Sequence, residues 1–306
     1  MKIVVIGAGG VGGYFGGKLA KAGYDISFIV RGKNLEAIKK NGLQIKSING
    51  DFTVFPFATS EFDPVKNADL VILGIKSWQI IDIAKSIKPL LSTNTMVLPL
   101  QNGADNADKL LSVLNSENVI AGLCRIVSKI EEPGIINHFA YEPEIIFAEN
   151  KNEKTGRIQL LKSTFDKAGF KNSISDNIHL DIWRKFLFIT TISGMGALTR
   201  SVLGEIRENV FLKQKMYETA EEIVIIANEK GIALNKSDID KIFAVIDNLN
   251  FHTTSSLQRD MMESKPSELD NFNGFIVNKG KELGIDTPVN SFIYQCLLLQ
   301  ENKARK

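Results

Sequence analysis

A chain of 306 residues, with 44% hydrophobic and 24% charged residues, has a globular composition and room for two domains, which excludes a disordered protein. The formal net charge of +2 argues against a nucleic-acid partner, and Cys124 and Cys296 lack metal-binding spacing and are typical of reduced thiols. A core strand at the very start and apolar stretches too short to cross a membrane predict no signal peptide and no membrane partner. We therefore expect a cytoplasmic protein without a metal site.

The predicted elements begin with a strand, a glycine turn and a helix. Residues 2–6 read Lys-Ile-Val-Val-Ile, which is typical of a strand buried on both faces. The turn that follows is formed by Gly7, Ala8, Gly9, Gly10, Val11 and Gly12. In this context the G-x-G-x-x-G spacing predicts a dinucleotide site, with Gly7 at the tight turn, Gly9 against the pyrophosphate and Gly12 where helix and strand pack closely. The helix N-terminus offers its free N–H groups to the phosphates.

The end of the second predicted strand, residues 25–30, indicates which dinucleotide is bound. Folds that bind NAD place Asp or Glu about 20 residues past the glycines, where it accepts from the ribose 2′-hydroxyl. Here Arg31 and Lys33 stand at that point instead. A guanidinium suits a 2′-phosphate, so the sequence favours NADPH/NADP+ over NAD(H). The alternative is that Arg31 is only a solvated surface charge.

Two further strands place polar residues at the same predicted edge of the sheet. Residues 69–75 form a strand that precedes Lys76, and residues 96–100 form one that precedes Asn102. Ligands of doubly wound sheets lie beyond the carboxyl ends of the strands, where both side chains are expected to meet cofactor or substrate. A lysine at a strand end is often only solvated, and Asn-Gly is a common turn, so neither residue alone distinguishes a site from an ordinary surface. Residues 119–123 and 144–148 are predicted as additional strands.

Past about residue 176 the strand-like runs stop and segments with a 3.6-residue period take over. Helices are predicted over the following ranges: 179–199, 205–230, 237–248, 254–263, 267–283 and 289–302. The fold class is therefore α/β, with an N-terminal Rossmann-like doubly wound sheet followed by an all-α domain. We assign residues 1–173 to an NADP-binding domain and residues 174–306 to a helical substrate domain. A cleft between two domains is the natural place for a small substrate.

Three features of the helical half are candidates for chemistry. Lys185 opens a nearly uncharged helical stretch and is a candidate proton donor, although a solvated or ion-paired lysine is the alternative. Ser256 belongs to a hydroxyl cluster that heads a helix, and such a cluster also serves as an N-cap. Glu268 is expected in the first turn of a helix capped by Ser267, where the helix dipole stabilises a carboxylate whatever its function.

Taken together, these residues resemble the ketopantoate reductase (2-dehydropantoate 2-reductase) family over almost the whole chain. The resemblance rests on the glycine turn, Arg31, Lys76, the run 101–103, the run 183–185, and Ser256 with Glu268, followed by Asn273-Gly274 and the run 287–290. Members combine a Rossmann domain with a helical domain and reduce 2-dehydropantoate with NADPH to (R)-pantoate, on the route to pantothenate and coenzyme A. The implied partner is a small 2-oxo acid.

The resemblance also implies roles for individual residues. Lys185 is the implied proton donor to the ketone oxygen, and Glu268 is expected beside the nicotinamide ribose and the reacting centre. Ser256 is expected to hold the substrate carboxylate, and Asn102 to reach both cofactor and substrate. Lys76 and Arg31 are expected to serve the cofactor.

The sequence departs from the family pattern at two positions of one helix. Better-known members carry asparagines one and two turns after the lysine, both touching substrate, where this chain has Ile189 and Ser193. The loss of both amides removes contacts to the substrate hydroxyl, although Ser193 is still a candidate substrate-binding residue. The hydride transfer is therefore better supported than the identity of the acid, and another branched 2-oxo acid is an alternative substrate. A non-catalytic NADP(H)-binding redox sensor is the alternative from a different class. The sequence leaves the oligomeric state open, a homodimer included.

Overall fold

The computed structural model describes residues 1–306, which form two compact units, Met1–Ile178 and His179–Lys306. The first unit mixes strands and helices, and the second contains helices only. The predicted α/β fold with a helical second half is therefore confirmed. The boundary expected from sequence, between residues 173 and 174, lies within the last strand of the first unit.

The first unit contains ten strands and five α-helices. The strands are β1 (Lys2–Ile6), β2 (Asp25–Ile29), β3 (Leu43–Ser47), β4 (Phe52–Val54), β5 (Phe57–Thr59), β6 (Leu70–Leu73), β7 (Met96–Pro99), β8 (Ile120–Glu132), β9 (Ile135–Glu149) and β10 (Lys171–Ile174). The helices are α1 (Gly10–Lys21), α2 (Gly32–Asn41), α3 (Ile80–Ile87), α4 (Asn106–Leu111) and α5 (Gly156–Ala168).

Five parallel strands form the sheet that positions the glycine turn, in the order β5-β2-β1-β6-β7. The central strand β1 pairs with β2 and β6, so that Val4 lies between Ser27 and Val71. Four of its five residues, and all four of β6, are buried. Strands covered on both faces need continuous apolar runs, which is why the sequence marked them clearly.

A second sheet covers the other side of α1. Its order is β10-β9-β3-β4, and β8 pairs antiparallel with β9. The glycines of α1 allow close packing on both sides, because a Cβ on Gly16 would meet Phe28 of the first sheet and one on Gly13 would meet Ile136 of the second. Strands β8 and β9 are much longer than the predicted strands 119–123 and 144–148. The far half of β8 is exposed and polar, so it lacks the apolar signal of a buried strand.

The second unit consists of seven α-helices. They are α6 (Ile178–Thr199), α7 (Leu203–Glu208), α8 (Val210–Glu229), α9 (Lys236–Asn248), α10 (Ser256–Met262), α11 (Asn273–Leu283) and α12 (Pro288–Ala304). The aromatic rings of Trp183, Phe186 and Phe275 pack against one another in its core. None of the helices combines the length and apolar composition of a membrane-spanning segment.

Two helices predicted as continuous are interrupted. The helix expected over 205–230 is divided at Asn209, whose extended backbone ends α7 and whose side chain accepts a hydrogen bond from the Leu212 amide. The helix expected over 267–283 begins only at Asn273, after a short 3₁₀ turn over Leu269–Asn271. In both cases the apolar period continues across the break, so the pattern could not reveal it.

Candidate functional site

The glycine turn is held by close backbone packing at the carboxyl end of β1. Gly7 has φ of +93°, and its amide donates to the Ile29 carbonyl oxygen at 2.9 Å. A Cβ on Gly7 would lie 2.8 Å from the Gly74 carbonyl oxygen, and one on Gly12 would overlap the Gly7 carbonyl oxygen. The tight turn predicted for Gly7 and the close packing predicted for Gly12 are confirmed.

The space around Gly9 fits a phosphate group. A Cβ on Gly9 would meet only the Gly74 carbonyl oxygen, at 3.7 Å, so this side of the turn is open. Gly9 is the N-cap of α1, no side chain caps this helix, and its first turn has no acidic residue. The first amides of a helix have no partner within it and lie at its positive end. The turn therefore has the open space and the N–H donors that a pyrophosphate requires.

The other candidate cofactor residues of the first unit lie at the same edge of its sheet. Arg31 follows β2 and is exposed, with extended backbone at the start of α2. Lys76 follows β6, and its ammonium lies 5.7 Å from the centre of the Trp78 ring. Asn102 follows β7 and is partly exposed. Because β2, β1, β6 and β7 are parallel neighbours, these residues share one edge with the glycine turn.

The structure shows contacts at this edge that the sequence did not reveal. The Asn34 side-chain amide donates to the Ala8 carbonyl oxygen at 3.1 Å, and its oxygen accepts from the Gly134 amide at 2.7 Å. The Gln101 side chain donates to the Leu73 carbonyl oxygen at 3.0 Å and so links the ends of β6 and β7. These contacts join residues 26 to 100 positions apart, and no local motif signals them.

The helix α6 of the second unit carries Lys185 and Ser193 in different environments. Lys185 and Ile189 are partly exposed, whereas Ser193 is fully buried. The hydroxyl groups of Ser193, Thr190 and Thr191 have no hydrogen-bonding partner. Arg184, next to Lys185, donates to Asp238 at 2.9 Å and ties this part of α6 to α9.

Ser256 begins α10, and Glu268 lies in the connection between α10 and α11. The cap of α10 is Ser255, whose hydroxyl accepts from the Gln258 amide at 3.1 Å, and Ser256 is the partly exposed first residue of the helix. The interpretation of the cluster as an N-cap therefore applies to Ser255. Glu268 is 8% exposed and precedes the 3₁₀ turn instead of lying in the first turn of an α-helix, so that expectation was wrong. The Ser267 hydroxyl accepts from the Leu269 amide at 3.3 Å, a local cap of this turn.

A parallel sheet with a glycine turn at its carboxyl edge, followed by a helical unit, defines a Rossmann-type dinucleotide-binding protein. Residues 3–152 match the family described as "Ketopantoate reductase PanE/ApbA", and residues 177–301 match its C-terminal domain. The chain belongs to the ketopantoate reductase family, which is a family of oxidoreductases.

Relatives align over nearly the full length. "Uncharacterized oxidoreductase YkpB" of Bacillus subtilis is 32% identical over 98% of this chain and 99% of its own length. The "2-dehydropantoate 2-reductase" of Pyrococcus horikoshii is 29% identical, covering 99% of this chain and 98% of its own length.

Solved structures show the same fold. A PanE/ApbA family ketopantoate reductase from Ralstonia eutropha JMP134 superimposes with a TM-score of 0.92 at 31% identity, covering all of both chains. D-mandelate dehydrogenase, solved with NADH and anilino(oxo)acetate, superimposes with a TM-score of 0.91 at 25% identity, covering 100% of this chain and 99% of its own.

Proposed function

We propose that the protein is a cytoplasmic 2-dehydropantoate 2-reductase, which reduces 2-dehydropantoate to (R)-pantoate with NADPH in pantothenate and coenzyme A biosynthesis. The observation that carries the proposal is the open glycine turn in a chain of this family. Lys185, Ser256 and Glu268, to which the sequence resemblance gives roles in the reaction, support it. The name of the Pyrococcus relative supports the substrate.

Four side chains of the protein have separate roles in the proposed reduction. When bound, NADPH supplies the hydride that reduces the ketone carbon. The Lys185 ammonium stabilises the negative charge that develops on the ketone oxygen and then donates a proton to it, which completes the alcohol. Ser256 donates a hydrogen bond to the substrate carboxylate. Glu268 and Asn102 orient the nicotinamide ribose and the substrate hydroxyl.

The preference for NADPH rests on the residue after β2. Arg31 is exposed at that strand end, and no Asp or Glu follows the strand until Glu36. A ribose 2′-hydroxyl needs an acceptor there, whereas a 2′-phosphate needs a cation with several donors. Arg31 provides such a cation, which favours the 2′-phosphate of NADPH.

A second substrate class is supported by α6 itself. Ile189, one turn after Lys185, is partly exposed and apolar, whereas better-known members carry a polar amide at this position. An apolar side chain favours an apolar substituent on the 2-oxo acid over the hydroxyl of 2-dehydropantoate. The structural likeness to D-mandelate dehydrogenase supports this alternative, since that protein was solved with NADH and an aryl oxo acid derivative.

The test follows NADPH absorbance with 2-dehydropantoate beside a panel of 2-oxo acids with branched or aryl substituents, and repeats the series with NADH. A kcat/KM highest for 2-dehydropantoate with NADPH is the expected result. Turnover only with another acid supports the second substrate class. Binding of NADPH without turnover of any acid supports a redox sensor and contradicts the proposal.

A further inference from the structure

Glu268 lies in a segment whose backbone direction depends on another part of the second unit. The segment 267–271 lies within the connection between α10 and α11, which covers residues 263–272. It contains only a short 3₁₀ turn, with the Asn271 amide donating to the Glu268 carbonyl oxygen at 3.0 Å. So short a turn has few internal hydrogen bonds to hold it in place. Side chains of α12 and of Arg305, directly after it, provide hydrogen bonds to this segment.

The carboxylate of Glu301 on α12 binds the residue directly before Glu268. It accepts from the Ser267 amide at 3.0 and 3.1 Å and from the Ser267 hydroxyl at 2.6 Å. Glu301 is 1% exposed and Ser267 is fully buried, so water does not compete for these bonds. Burying a carboxylate destabilises the folded state unless donors and a cation surround it. Here the donors come from Ser267 and the cation is Arg305, and we call these three residues the junction.

Arg305, four residues after Glu301 and the C-cap of α12, completes the junction. Its Nε donates to Glu301 at 2.6 Å, and its Nη2 donates to the Ser267 carbonyl oxygen at 3.1 Å. The amide, hydroxyl and carbonyl groups of Ser267 are therefore all bound by the side chains of Glu301 and Arg305. The backbone on both sides of the 267–268 peptide bond is oriented as a consequence.

The far side of the segment is held by a second residue of α12. The Tyr294 hydroxyl donates to the Asp270 carboxylate at 2.8 Å. Burial and this acceptor raise the pKa of Tyr294 to about 12, so the hydroxyl remains a donor at all working pH values. Both ends of the segment that carries Glu268 are thus attached to the same helix.

We propose that Glu301 and Arg305 are positioning residues, which act on the reaction by orienting Glu268 through Ser267. This inference rests on the proposed role of Glu268 beside the nicotinamide ribose. Carboxylates that act at a reacting centre need their direction held by supporting hydrogen bonds. Glu301, a buried residue of the otherwise half-exposed helix α12, and Arg305 supply such bonds to the residue directly before Glu268.

A double-mutant cycle separates positioning from a general structural role. In the wild-type background Glu301→Gln is expected to lower kcat/KM about tenfold or more, and in the Glu268→Gln background by less than about twofold, because residues that act through one another are not additive. Equal losses in both backgrounds, or an unchanged kcat/KM in the single variant, would overturn the proposal.

Glu222 provides the matched control within the same unit. Its buried carboxylate accepts from the Val289 and Asn290 amides at 2.8 and 2.9 Å, at the opposite end of α12. Glu222→Gln makes the same chemical change, and it is expected to lower the thermal midpoint while leaving kcat/KM within about twofold. If Glu301→Gln prevents folding, Arg305→Ala and Arg305→Lys test the same junction at its more exposed residue. Partial recovery of kcat/KM is expected in the lysine variant.

Amide exchange tests the junction independently of the reaction. Glu301→Gln is expected to raise deuterium uptake in peptides covering 267–272, and Glu222→Gln is not. Unchanged deuterium uptake in Glu301→Gln would show that the junction does not hold the segment in place, even if the enzyme is active. A wild-type protein that turns over no 2-oxo acid, yet shows the expected exchange, would instead contradict the proposed function and leave the junction established.

Discussion

The backbones of Gly74 and Gly12 pack so closely that each fills the space where the other would carry a side chain. A Cβ on Gly74 would stand 2.7 Å from the Gly12 Cα and 2.8 Å from the Gly7 carbonyl oxygen. Gly74 follows β6, and Gly12 lies in the first turn of α1. The glycine turn is therefore locked against the neighbouring strand by a fourth glycine outside the motif.

This contact predicts different outcomes for two glycine substitutions. Gly74→Ala is expected to destabilise the fold by about 1–3 kcal/mol, because backbone atoms cannot move aside for the new methyl group. Gly9 has φ of −77° and open space around it, so Gly9→Ala is expected to retain the wild-type stability. The variant is expected to bind NADPH more weakly, because its methyl group occupies the side of the turn that the phosphates would approach.

Chemical denaturation and NADPH titration measure the two effects separately. Gly156→Ala, at a helical glycine with nothing within 4 Å, is the control and is expected to change neither quantity. Wild-type NADPH affinity in Gly9→Ala would show that the phosphates do not approach this side of the turn.

Arg31→Ala tests the choice of dinucleotide. We expect NADPH binding to weaken by about 1–3 kcal/mol, the range for a charge-assisted hydrogen bond, with little change for NADH. Isothermal titration with both dinucleotides provides the measurement, and Lys39→Ala, at the exposed end of the same helix, is the control. Equal weakening of both dinucleotides would mean that Arg31 contacts a group that NADH also has.

Lys185→Ala tests the proton donor. Its loss is expected to lower kcat by about 10²–10⁴-fold, the range for general acid catalysis, and to leave the NADPH dissociation constant within about twofold. Steady-state kinetics and fluorescence titration measure the two quantities, with Lys230→Ala as an exposed control in the same unit. A variant that loses NADPH affinity and keeps its kcat would assign Lys185 to cofactor binding.

Acid stability of the first unit is expected to depend on Glu149. Burial raises the pKa of this carboxyl, but hydrogen bonds from Arg157 and Thr155, at 2.6 and 2.5 Å, outweigh burial and hold it below the ordinary 4.5. A depressed pKa stabilises the folded state above pH 4.5, and this contribution disappears as the pH falls through the lower folded value.

Urea denaturation at pH values from roughly 3 to 7 measures how the unfolding free energy depends on the protonation of Glu149. The wild type is expected to lose unfolding free energy on the acid side, and Glu149→Gln to be less stable at pH 7 with a flatter acid limb. Parallel curves for the two proteins would show that another carboxyl controls the acid transition.

Local sequence alone determined much of this protein. Continuous apolar runs identified β1, β6 and β7, because strands buried on both faces tolerate no polar residue. The glycine spacing identified the turn after β1. Patterns weakened where a strand faces solvent, as in the outer half of β8, and where an apolar period runs across a break, as at Asn209.

Only the tertiary structure decided which distant residues support these local features. Gly74 reaches the turn because β6 pairs with β1, and Asn34 reaches Ala8 because α2 folds back over the sheet edge. Glu301 lies 34 positions from Ser267 and meets it only when α12 packs on the segment before α11. Such contacts depend on packing between elements, which periodicity and spacing along a chain do not encode.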